Sequence, residues 1–92
     1  MTKNLTLSLQ AQDELNLEVS RQMDTAMKRA SNRDFETAMV IVSHAAQKIE
    51  SSRGRVNPGE LRQAIETYQK RVGEVEKVYA DAGHPYSPPR VI

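Results

Sequence analysis

From about Ser8 onward the apolar residues fall at helical spacing, with Ala11, Leu15, Val19, Met23, Met27 and Ala30 mostly four apart along one stripe. This predicts a first helix over about 9–30, supported by Asp24 and Lys28 as an i,i+4 ion pair in the favoured order. Before it, Leu5, Leu7 and Leu9 alternate with Thr6 and Ser8, a period of two that predicts a short extended arm. Past Ala30 the phase slips. Extending the first stripe would bring Arg33, Asp34 and Thr37 into the core, whereas the apolar residues are Phe35, Ala38, Met39, Val42, Ala46 and Ile49. A break near Ser31 is therefore expected, with Ser31 as cap and Asp34 three residues later where a capping-box acid belongs, opening a second helix over 32–51. Val40, Ile41 and Ala45 widen its apolar face, which points to the central position among the helices.

Ser51-Ser52-Arg53-Gly54-Arg55 reads as a loop, and Asn57-Pro58-Gly59-Glu60 as a helix start, with an asparagine cap and proline at the first helical position. The third helix, 58–82, carries Leu61, Ile65, Tyr68, Val72, Val75 and Tyr79 at alternating spacings of four and three, a heptad seam. Gly83 and Pro85 end it. Residues 84–92 hold three of the four prolines and are expected to be an extended tail. The reading is an all-α domain over 1–83: three helices, or a long kinked helix hairpin, with a heptad-patterned third helix, an extended N-terminal arm and a proline-rich C-terminal tail.

Composition narrows the function. The chain has 92 residues, of which nineteen are Leu, Ile, Val or Phe, a thin core for one small domain. Small domains of this kind gain stability by oligomerising, so a homo-oligomer is the expected state. A net charge of +1 argues against a protein that coats polyanions. The absence of cysteine removes disulfides, thiolate metal sites and thiol nucleophiles. The sequence lacks the patterns of a membrane span or signal peptide, which leads to the expectation of a cytoplasmic protein without membrane contact.

Met23, Met27 and Met39 near the first junction suit gap-filling core better than an adaptable groove. His44 has no ligand partner at i+3 or i+4, position 48 being Lys48, and His84 stands alone in the tail. No nucleophile elbow, phosphate loop or dinucleotide fingerprint is present. An enzyme is not expected, nor a cofactor or metal. The first expectation is a non-catalytic protein-binding or assembly module of the chaperone, inhibitor, antitoxin or phage-accessory type, whose interface residues are Leu61, Ile65, Tyr68, Val72, Val75 and Tyr79. The alternative is an oligomeric binder of a nucleotide, nucleic acid or other anion through Lys28, Arg29, Arg33, Arg53 and Arg55.

Pro85-Tyr86-Ser87-Pro88-Pro89-Arg90 has the P-x-x-P-x-R spacing that resembles ligands of SH3 domains, although Tyr86, Val91 and Ile92 favour folding back onto the chain's own apolar surface. The turn into Asn57-Pro58, Leu61 and a tyrosine-bearing helix resembles needle subunits of type III secretion systems over about a quarter of the chain. The proline-rich end departs from that pattern.

Overall fold

The computed structural model describes the backbone of residues 2–92 and the side chains of residues 14–92. Three helices follow in order, α1 Thr2–Ser31, α2 Phe35–Ser52 and α3 Pro58–Asp81. Two short turns reverse the chain twice, so α1 and α3 run parallel with α2 antiparallel to both. The register follows from cross-helix contacts. Lys48 pairs with Glu18 at 3.4 Å between α2 and α1, while Leu15 meets Glu60, Asn16 meets Thr67 and Asp24 meets Arg71 between α1 and α3.

The extended arm expected at Leu5 to Leu9 is corrected, since α1 is helical from Thr2; the side chains there lie outside the described residues. An extended arm there would hydrogen-bond only to water, whereas continuing α1 adds one intrahelical bond for each residue fixed. The break after the first stripe is present but its cap is corrected. Ser31 belongs to α1, and the carboxylate of Asp34 accepts from the Thr37 N–H at 3.4 Å to open α2. Arg33 closes α1 with a φ of +64°, its N–H donating to Ala30 at 3.0 Å while the Asp34 N–H donates to Arg29 at 2.9 Å. This is the glycine-type helix ending, built here on arginine.

The left-handed conformation costs a residue with a Cβ about 1–2 kcal/mol, against about 0.5–1 kcal/mol of extra unfolded-chain entropy for glycine. Arg33→Gly is thus expected to stabilise the fold by about 0.5–1 kcal/mol and raise Tm by a few degrees. Gly83 closes α3 in the same way at φ +67°, with open space where a Cβ would stand, so Gly83→Ala meets only the backbone strain and is expected to shift Tm in the opposite direction. Calorimetry on the two variants checks the pair; a lowered Tm for Arg33→Gly would refute the strain.

α1, not α2, is the central helix: it packs along both others, which touch each other only slightly. Its stripe Leu15, Val19, Met23, Ala26 and Ala30 is buried, and on α2 the buried line is Ala38, Val42, Ala45, Ala46 and Ile49. Val40 and Ile41 broaden the apolar face of α2 without being fully covered, Val40 being 52% exposed. Apolar breadth alone therefore does not place a helix at the centre. On α3 the buried side chains are Ala64, Tyr68, Val75 and Tyr79, together with Glu60, which accepts from the Leu15 N–H at 3.2 Å. No helix among the described residues is long and apolar enough to cross a membrane.

Candidate functional site

α3 offers two different flanks beside its buried line. Glu60, Thr67 and Arg71 face α1 on one flank, where Arg71 also reaches Glu74 at 2.9 Å in an ion pair too poorly aligned for a hydrogen bond. Tyr68, Gln69 and Val72 take the other flank, and residues 84–92 lie against it. The helix ending at Gly83 turns the chain back: the N–H groups of Gly83 and His84 donate to Ala80 and Tyr79 at 3.0 and 2.9 Å. From there the segment runs antiparallel to α3 until Ile92 reaches Arg53 at the α2–α3 turn. It acts as a strap over α3 that touches both ends of α2, at Phe35 and at Arg53.

Two kinds of contact hold the strap. Aromatic packing fixes its start, with the His84 ring stacked on Phe35 at 4.5 Å and the Tyr86 ring 4.5 Å from Tyr79. Donors fix the remainder. The Tyr68 hydroxyl donates to the carbonyl of Pro89 at 2.7 Å, Gln69 Nε2 to that of Val91 at 2.8 Å and Arg53 Nη2 to that of Ile92 at 2.6 Å. The Tyr86 hydroxyl donates the other way, to the Val72 carbonyl at 2.9 Å. Val91 is buried and joins the core, whereas Ile92 is 86% exposed. Between strap and helix lies a groove of about 420 Å³, lined by Tyr68, Gln69, Val72 and residues 88–92.

Burial pushes the Tyr68 hydroxyl up to about 12. Tyr86 is raised by burial and then by its neighbours Tyr68, Tyr79 and Glu76; Tyr79 is raised by burial and then by the charge of Asp34. All three phenols remain protonated donors over the neutral range. Arg53 holds the exposed Glu50 carboxyl below its ordinary value through their hydrogen bonds of 3.0 and 2.9 Å, so its guanidinium serves Glu50 and Ile92 together.

The structure divides the expected interface residues. Tyr68, Val75 and Tyr79 are buried within the chain, and Leu61, Ile65 and Val72 are partly buried at the edge of the same core. The expected anion-binding residues do not converge within one chain. Lys28, Arg29 and Arg33 stand at the α1–α2 turn and Arg53 and Arg55 at the α2–α3 turn, separated by the eighteen residues of α2, about 27 Å. An anion could bridge them only between copies. Met23 is fully buried, and Met27 and Met39 pack beside the core. His44 is exposed and lines a shallow depression with Gln22, Gln47, Lys48 and Ser51, in which Gln22 Oε1 has no hydrogen-bond partner. Among the described residues no group of three or more His, Asp or Glu is placed to hold a metal ion.

Gln69 and the pairing of Phe35 with His84 carry no signal in the sequence. Gln69 follows Tyr68 on the polar side of the seam, and no periodicity distinguishes it from any solvated glutamine. The strap itself had a signal in Tyr86 and Val91, apolar residues in an otherwise polar, proline-rich run. Compared with protein-family models, curated proteins and solved structures, the chain returns no match.

Proposed function

We propose that this chain is a non-catalytic helical module for protein binding and assembly, working as a homo-oligomer in the manner of a small chaperone, inhibitor, antitoxin or accessory protein. The surface assigned to this work is the edge of α3 formed by Leu61, Ile65 and Val72, together with the strapped groove beside it. One observation supports the reading: this edge stays partly open after the chain has folded, and the adjoining groove of about 420 Å³ is left unfilled by the strap. An apolar edge next to a row of donors aimed at main-chain carbonyls suits a protein partner, because every peptide presents such carbonyls.

Light scattering over a hundredfold concentration range tests the assembly. A stable mass of two or more protomers is the expected result, and Ile65→Asp, a change at the partly exposed edge, is expected to return the protein to a monomer of unchanged helicity. A concentration-independent monomer for the unaltered chain would overturn the oligomeric part of the proposal.

A further inference from the structure

We propose that the crevice flanking α3 is a receptor for an extended, proline-bearing segment of a partner protein, and that residues 84–92 are its internal competitor. The proposal rests on the protein-binding reading above and names the partner's chemistry. What the crevice accepts is defined by what it now holds. Arg53, Tyr68 and Gln69 donate to three main-chain carbonyls, so this part of the recognition is independent of side-chain identity. Selectivity sits at two places. One is an aromatic position, where Tyr86 lies against Tyr79 and reaches the Val72 carbonyl; the other is the buried seat of Val91. Pro88 and Pro89 between them keep the segment extended without internal hydrogen bonds, and proline adds no N–H that would need a partner. The matching ligand is a segment with an aromatic residue, a proline pair and, two residues after that pair, an aliphatic side chain.

The present occupant leaves the crevice partly open. A groove of about 420 Å³ remains between the strap and α3, and Ile92, a large apolar residue, is 86% exposed at its end. A partner segment that turns larger apolar side chains into this groove buries more surface than the strap does. The strap holds its place by tethering, since a segment joined directly to α3 has an effective concentration of the order of millimolar. A free competitor therefore binds the unaltered chain weakly, and weakening the strap unmasks the crevice.

The probe is a fluorescent synthetic peptide of residues 84–92, titrated by anisotropy into the full chain and into its Val91→Asp variant. The variant is expected to bind at least tenfold more tightly than the unaltered chain, and adding Gln69→Ala to it is expected to reverse most of that gain. Equal affinity for the unaltered chain and Val91→Asp, with equal helical ellipticity, would overturn the proposal. If Val91→Asp loses helicity, Val91→Ala makes the same comparison with a smaller expected gain, and no gain there overturns it equally. Light scattering on Val91→Asp separates this inference from the reading beneath it. A fall in mass on weakening the strap would show that the strap is exchanged between copies, which refutes an internal competitor while supporting assembly; a monomer throughout refutes assembly while leaving the receptor intact.

Discussion

Tyr79→Ala is expected to destabilise the protein by about 3–5 kcal/mol, the range for removing a buried aromatic ring. Tyr79 is 1% exposed and lies at the centre of an aromatic group, its ring 4.9 Å from Phe35, 5.5 Å from His84 and 4.5 Å from Tyr86. Its hydroxyl donates to the Phe35 carbonyl at 2.6 Å, tying the end of α3 to the start of α2. One substitution thus opens a cavity, frees the start of the strap and removes the hydroxyl tie between α3 and α2. A domain of this size has a total stability of roughly 5–14 kcal/mol, so the variant should be partly unfolded at 37 °C. Tyr79→Phe keeps the ring and should lose only about 1–2 kcal/mol. Val40→Asp, on the exposed side of α2, should change stability by less than about 0.5 kcal/mol. Urea unfolding followed by helical ellipticity measures all three; an alanine variant within about 1 kcal/mol of the unaltered chain would mean that the aromatic group does not hold the bundle's end.

Alkaline unfolding is the second large effect. The chain has three tyrosines, and all three are in the strap or beneath it. Tyr68 ionises near 12 in the folded chain against 10 for a free phenol, and Tyr79 and Tyr86 are raised as well. Below pH 10 both folded and unfolded chains keep these protons, and the contribution to stability is fully present. Between pH 10 and 12 the unfolded chain releases protons that the folded chain retains, so each step up in pH favours unfolding. Phenolate absorbance at 295 nm and helical ellipticity should therefore change together in that interval. Phenolate appearing at pH 10 with full helicity would mean that the tyrosines are solvated and the strap is not docked. Tyr68→Phe should move the transition to higher pH.

Sequence alone made the ends of α3 legible, because Asn57, Pro58 and Gly83 act through their own backbone preferences and need no tertiary partner. The asparagine side chain accepts from the Glu60 N–H at 2.8 Å, as the capping pattern requires. The turn between α1 and α2 was harder to read. Its closing residue is Arg33, which no propensity places in the left-handed region, so the cap moved from Ser31 to Asp34. Spatial order was illegible for a different reason. The apolar breadth of α2 points to a central position, but α1 packs along both other helices and Val40 stays 52% exposed, because breadth of an apolar face does not say how many neighbours cover it. Periodicity marks the seam residues as apolar but does not tell that Tyr68, Val75 and Tyr79 face the chain's own core, while Leu61, Ile65 and Val72 form its open margin.

The slight contact between α2 and α3 also bears on the order in which the chain assembles. α3 touches α2 chiefly at its end, where Tyr79 meets Phe35, and meets α1 along its length, through contacts 45, 51 and 47 residues apart at Leu15–Glu60, Asn16–Thr67 and Asp24–Arg71. Closing segments of that length costs more chain entropy than closing the short turn between α1 and α2. The α1–α2 hairpin is therefore expected to form first, presenting the stripe of α1 as a template. Changes at Glu60, Thr67 or Arg71 act on the later docking of α3, and those at Ala30 or Ala38 on the hairpin that precedes it.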